Sequence, residues 1–209
     1  MCLLNAVIDL SHHNTVTNFQ DAKDSGILGV IHKATEGTNF VDHKYDEHRS
    51  GALAAGLYWG AYHFGIPGDV QDQVDHFLDI VKPSPTDLLV LDFEERRPKP
   101  SMTLMEAESF VEKIHVKTGR FPGLYTGQLF IQEQLGDRTD TILKNCFLWI
   151  ARYSSVFPQL PAAFQTFTFW QYTKGEKGVS DQVPGIGSCD RNKFNGDEAD
   201  LRKLWTLKE

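Results

Sequence analysis

No apolar run in this chain approaches the ~20 residues that a membrane-spanning helix needs. Positive charge is short as well: 21 lysines and arginines stand against 28 aspartates and glutamates, a net charge of −7. A surface of that sign has no basic footprint for gripping nucleic acid by its phosphates, and it adsorbs poorly to anionic membranes. The opening MCLLNAVIDLSHHN lacks a basic leader, and Asn5 and Asp9 interrupt its apolar stretch, so no signal peptide is expected. Cysteine is scarce. Cys2, Cys146 and Cys189 are too few for a disulfide framework and wrongly spaced for zinc; a Cys146–Cys189 bridge is conceivable, but reduced thiols used for packing are the expectation. No Gly-x-Gly-x-x-Gly follows the first apolar run, and no His-x-His or His-Glu-x-x-His is present. Tandem repeats and low-complexity stretches are absent too.

What is there has an ordinary globular balance, with 41% hydrophobic and 23% charged residues, and 209 residues suit one well-buried domain spanning 1–209. Short apolar runs recur: Ala6–Leu10, Leu28–His32, Tyr58–Phe64, Leu88–Glu94, Pro122–Tyr125, Phe147–Ala151, Phe167–Gln171 and, more weakly, the segment around Asp190. Their brevity and their β-branched or aromatic content favour strands buried on both faces. Helices fit between the early ones. Thr103 and Glu106 form a Thr-x-x-Glu capping box ahead of Leu104, Ala107, Val111 and Ile114, with Gly119 as the stop. Asp69 can cap a helix through Val81, and residues 42–55 and 18–25 read as two more, ending at Gly56 and Gly26.

Strands alternating with helices imply a parallel sheet, and right-handed crossovers can curl it into a barrel. Strand starts near 58, 88 and 122 leave room for a full βαβ unit each time, whereas those near 147, 167 and 189 do not. The spacing therefore predicts an α/β barrel whose last third has lost its helices, with an open doubly wound sheet as the alternative.

Reactive groups in such a barrel gather where the strands end. Asp9, His63, Asp92, Glu94, Tyr125, Gln171 and Asp190 are the polar residues at those ends. Asp92 and Glu94, at i and i+2, share one face with Cα atoms roughly 6.6 Å apart. Neighbouring carboxylates in a partly apolar setting (Phe93, Tyr62, Trp149) raise one pKa toward neutrality, as a general acid for glycosidic cleavage requires. The plainer reading is that these acids cap the strand or pair with Arg96 and Arg97. A metal centre is the chemical competitor, with ligands from His12, His13, His63 and the same acids, although adjacent histidines on an extended segment point opposite ways. Tyr62, Tyr125, Trp149, Tyr153, Trp170 and Tyr172 lie near strand ends, where aromatics either line sugar sites or fill a wide core. Lys33 and Glu36 read as an ion pair shaping the rim.

Seven motifs in order, Val7-Ile-Asp-Leu-Ser-His-His13, His32-Lys-Ala-Thr-Glu-Gly-Thr38, Gly60-Ala-Tyr-His-Phe64, Leu91-Asp-Phe-Glu94, Leu148-Trp-Ile-Ala-Arg-Tyr153, Phe169-Trp-Gln-Tyr172 and Asp190-Arg-Asn-Lys-Phe-Asn-Gly196, resemble the glycoside hydrolase family 25 muramidases, the Chalaropsis-type lysozymes. The likeness runs from about residue 6 to 205. It implies a single-domain (β/α)5(β)3 TIM-like barrel that cleaves the β-1,4 bond between N-acetylmuramic acid and N-acetylglucosamine without a cofactor or metal. By motif, Glu94 is the general acid/base, Asp92 its partner, and Asp9 and Asp190 the other two acids, with Tyr62 beside them; Tyr125, Trp149, Tyr153, Trp170 and Gln171, near the strand ends, are the further candidate substrate contacts. Substrate assistance, in which Asp92 orients the 2-acetamido group, is the leading mechanism. Direct attack by Asp92 and inversion through water stay open, since ~5–5.5 Å and ~6.5–9.5 Å carboxyl separations mark those routes and strand spacing falls between them. The partner implied is a peptidoglycan glycan strand, with no nucleic acid or membrane, and the expected state is a monomer. With no leader, and no room after the barrel for wall-binding repeats, synthesis in the cytoplasm and action at the wall or periplasm call for a delivery or immunity partner protein. A phage endolysin and a bacterial effector both fit. A metal-dependent deacetylase and a catalytically inactive wall-binding module are the rival functions.

Overall fold

The computed structural model describes residues 3–175 and 182–206. In chain order the elements are β1 (Leu3–Leu10), α1 (Phe19–Asp24), β2 (Gly29–Glu36), β3 (Phe40–Val41), α2 (Tyr45–Ala54), β4 (Tyr58–Phe64), α3 (Val70–Val81), β5 (Leu88–Asp92), α4 (Leu104–Thr118), β6 (Gly123–Gly127), α5 (Gln128–Leu135), β7 (Leu148–Ala151), β8 (Phe169–Lys174), β9 (Gln182–Val183), β10 (Gly187–Ser188), β11 (Asp190–Asn195) and α6 (Glu198–Thr206). The sheet order β1-β11-β8-β7-β6-β5-β4-β2 closes through a β1–β2 pairing, and β3 adds a short antiparallel hairpin to β2. Helices follow each of the first five barrel strands, and among the described residues no α-helix lies between the last three, as the spacing predicts. None of the helices described is long and apolar enough to cross a membrane.

Local chemistry sets the helix ends. Thr103 Oγ1 accepts from the Glu106 amide at 3.3 Å while Glu106 Oε2 accepts from the Thr103 amide at 2.7 Å, and Gly119 at φ 73° closes α4 in the left-handed region that favours glycine. Asp69 caps α3 through Asp72 N at 3.0 Å. Helix α2 starts later than the expected residue 42 because Asp42 Oδ1 takes the Lys44 amide at 2.9 Å and holds residues 42–44 in a turn.

One barrel strand departs from the expected all-parallel sheet: β11 pairs antiparallel with both β1 and β8. Its cause is the connection. Strand β8 ends at the mouth, and the described residues between it and β11 form the small β9–β10 hairpin rather than a crossover helix, so the chain re-enters the barrel from the end it left. Asp190 thus begins a strand instead of ending one, at the same mouth.

Strand alternation sorts the side chains into two cores. Ile8, Val30, Trp59, Leu89, Leu91, Leu124, Leu148, Ile150 and Trp170 face outward under the helices. Val7, Ile31, Leu88, Val90, Tyr125, Trp149, Phe169 and Phe194 fill the barrel, joined by Leu201 and Trp205 of α6. That terminal helix is legible only in the i, i+4 spacing of Leu201 and Trp205, and it plugs the end opposite the mouth. Trp205 stacks on Tyr58 at 5.5 Å and donates Nε1–H to the Trp59 carbonyl at 2.8 Å. Gly29 lets the ring pack close, since a Cβ there would sit 3.0 Å from the Trp205 ring and the ring would have to give way. Trp205→Ala is expected to cost about 3–5 kcal/mol in urea unfolding, with a cavity at the barrel floor; an unchanged midpoint would show that α6 does not seal the core. Cys146 and Cys189 are buried and are not bonded to each other, and Cys2 lies outside the described residues.

Candidate active site

At the mouth the inward positions turn polar. Asp9 ends the inner face of β1, Tyr62 sits on β4, Asp92 ends β5, Tyr125 lies on β6, Trp149 on β7, Gln171 on β8 and Asp190 on β11. With Glu94 and Tyr153 they line one cavity of about 190 Å³. Alternation persists one step past the end of β5, so Phe93 turns outward onto Phe130 while Glu94 points in beside Asp92. Phe93 therefore adds no apolar wall to the cavity, contrary to the setting expected for the pair.

Burial governs the electrostatics. Desolvation first, then the negative charge of Asp9, lift Glu94 from its ordinary 4.5 to about 7, against the pull of Lys33. Asp92 is pushed well up by burial and by Glu94 beside it. The pair therefore holds at least one proton near neutrality, since both charges at once are disfavoured. Asp9, also buried, rises only to about 6, because amide hydrogen bonds favour its ionised form. Gln171 Nε2 donates to both Asp9 oxygens, at 3.1 and 3.0 Å, and to Asp190 Oδ2 at 3.3 Å. The Gln171 carbonyl accepts from Tyr125 at 2.8 Å and Tyr153 at 3.1 Å, so one amide links two acids to two tyrosines. Asn192 donates to Asp9 Oδ2 at 2.8 Å and accepts from Trp149 Nε1 at 2.7 Å. Asn192 is the site residue that sequence reasoning missed, though its register with Asp190 and Phe194 on one strand face carried the signal.

Asp92 Oδ1 is buried and takes no hydrogen bond from any described residue. The arginines considered as partners are engaged elsewhere, Arg96 with Glu36 at 3.1 Å and Arg97 with Glu95. Lys33 pairs with Glu36 at 2.8 Å, as expected for a rim contact.

Not every expected contact reaches the cavity. Trp170 lies on the outer face of β8, packed on Phe157 at 5.5 Å with its Nε1–H on the Arg152 carbonyl at 2.8 Å. Phe169 and Gln171 on either side take the inner face, and a strand cannot turn adjacent side chains the same way. Trp170 is therefore no sugar contact in this cavity. The histidines proposed as metal ligands are likewise dispersed. His63 faces outward, its nitrogens engaged by Thr35 at 2.8 Å and Gln73 at 3.2 Å, and His12 is held by Asp42 at 2.9 Å. His12, Asp42 and His43 do gather at one rim, but none of them lines the acidic cavity.

A glycosidase needs this kind of acid cluster. The sequence profile of glycosyl hydrolases family 25 matches residues 8–181. The chain belongs to that family. Among similar proteins, lysozyme M1 of Streptomyces globisporus is 31% identical over 94% of this chain and 70% of its own length. An N,O-diacetylmuramidase of Chalaropsis sp is 30% identical over 95% of this chain and 97% of its own. The crystal structure of a bacterial lysozyme from Streptomyces coelicolor superposes with a TM-score of 0.85 at 28% identity, covering 97% of each chain. The family 25 enzyme described here is thus a glycoside hydrolase on a closed eight-stranded barrel.

Proposed function

We propose that this enzyme hydrolyses the β-1,4 bond between N-acetylmuramic acid and N-acetylglucosamine in peptidoglycan, with Glu94 as general acid/base and Asp92 steering the substrate's own acetamido group. The observation that carries the reading is the pairing of a carboxyl raised to about 7 with a buried neighbour whose Oδ1 has no hydrogen-bond partner among the described residues. Glu94 has the proton a leaving sugar oxygen requires. An acetamido N–H donated to Asp92 Oδ1 favours the ionised form of Asp92 and leaves the shared proton on Glu94. The amide oxygen, so oriented, attacks the anomeric carbon as the glycosidic bond breaks and Glu94 protonates the departing oxygen. Glu94, now a base, then activates water to open the cyclic intermediate, with retention at the anomeric centre. Asp9 and Asp190 add negative charge facing an oxocarbenium-like state, and Tyr62, Tyr125, Trp149, Tyr153 and Gln171 line the sugar's path.

Mass analysis of purified peptidoglycan after digestion tests the assignment. New reducing N-acetylmuramic acid ends are expected, in the presence of EDTA as in its absence. Reducing N-acetylglucosamine ends would overturn the bond assigned, and loss of all cleavage in EDTA would point to a metal-dependent hydrolase.

A further inference from the structure

Asn192 is fully buried inside the barrel, on the strand that runs against the others. Burying an amide side chain costs free energy unless its donor and acceptor are both used. Both are. Its carbonyl takes the Trp149 indole N–H at 2.7 Å, which fixes which end of the amide is which. Its NH2 is thereby aimed at Asp9 Oδ2, 2.8 Å away, with the Val7 carbonyl a longer partner at 3.4 Å. An indole can only donate, so the relay has one direction: Trp149 donates to Asn192, and Asn192 donates to Asp9.

We infer that Asn192 is a positioning residue that, locked by Trp149, holds the Asp9 carboxylate in one orientation and keeps it charged next to Glu94. The inference rests on the roles proposed above for the acids. Asp9 sits in a crowded field: Asp190 from β11, Asp92 at the end of β5 and Glu94 just past it, Tyr62 from β4, Tyr125 from β6 and Tyr153 beyond β7 all share its cavity. Burial pushes the Asp9 carboxyl toward the neutral form, while a hydrogen bond with Asp190 pulls the other way. Donors aimed at Asp9 also counter the burial, with Asn192 ahead of Gln171 in effect. The charge kept on Asp9 is in turn what helps hold the proton on Glu94, while Lys33 on β2 acts in the opposite sense. Asn192 itself does not line the acidic cavity. Its part is to decide which acid is charged, so that Glu94 is the one with a proton to give.

A pH profile of kcat/KM on peptidoglycan separates this role from simple packing. Its alkaline limb reports loss of the proton from the general acid. Asn192→Leu removes the donor and Asn192→Ser draws it back out of reach of Asp9, so in both Asp9 takes up a proton and its field on Glu94 falls. The alkaline limb should move to lower pH by about half a unit or more, with kcat reduced and KM little changed. Asn192→Asp serves as the rescue. Its carboxyl still accepts from Trp149 and shares one proton with Asp9, so the pair keeps a single negative charge and the limb returns toward its wild-type position. An unmoved limb in the Leu and Ser variants, or an equal shift in all three, would overturn the inference and leave Asn192 as packing alone. Thermal melting of each variant shows that the folded protein is being compared. Glu94→Gln in parallel separates the two readings: full activity there would remove the proposed acid itself, whereas an inactive Glu94→Gln beside unshifted Asn192 variants would remove only the role of Asn192.

Discussion

Glu94→Gln is expected to lower kcat on peptidoglycan about 10²–10⁴-fold, with substrate binding largely kept. Glutamine has nearly the shape of glutamic acid but no transferable proton, so it removes the leaving-group acid and the later base together. For the wild type, kcat/KM should fall as pH rises through about 7, where Glu94 loses its proton, and the variant should lack that limb. Stability should move the other way. A carboxyl whose pKa is higher in the folded chain binds more protons folded than unfolded between its ordinary 4.5 and about 7, so the fold loses stability as pH rises across that window. Glutamine carries no charge at any pH. The variant should therefore melt above the wild type at pH 7 and beyond, and match it near pH 4. A variant that is both inactive and less stable at pH 7 would show that Glu94 is held by the fold rather than strained by it.

Much of this architecture was readable from the chain because its cues are local. The capping box at Thr103–Glu106, the Asp69 cap and the shortening intervals after residue 147 fixed which strands carry helices. The parity of Asp92 and Glu94 about Phe93 placed both acids in the barrel. The less legible features depend on partners distant in sequence. Nothing within residues 190–195 states that the strand runs antiparallel, since that follows from a connection without a crossover. Trp170 looked like a sugar contact by composition, and only the parity of β8, anchored by Phe169 in the core, turns it outward. Asn192 was hidden for a related reason. An asparagine in a strand is unremarkable until Trp149 and Asp9, from two other strands, arrive at its two ends.

Asp92→Asn carries the second large effect, a fall in kcat of about 10²-fold or more, and it also discriminates between mechanisms. An ionised Asp92 accepts the acetamido N–H and faces the positive charge that develops on the cyclising amide; asparagine offers a neutral oxygen in its place, and preorganised stabilisation of this sort accounts for about 10²–10³ in rate. The substrate supplies the control. On peptidoglycan stripped of its N-acetyl groups, the wild-type enzyme should slow by a similar factor, because the internal nucleophile has gone. Asp92→Asn should then lose little more, since substitution and substrate have removed the same interaction, and paired deletions of one interaction are not additive. If the wild type instead cleaves the de-N-acetylated glycan at full rate while Asp92→Asn remains inactive, substrate assistance is wrong and Asp92 attacks the sugar itself. A glycosyl–enzyme adduct on Asp92, sought by mass spectrometry of the intact protein, would then be the species to find.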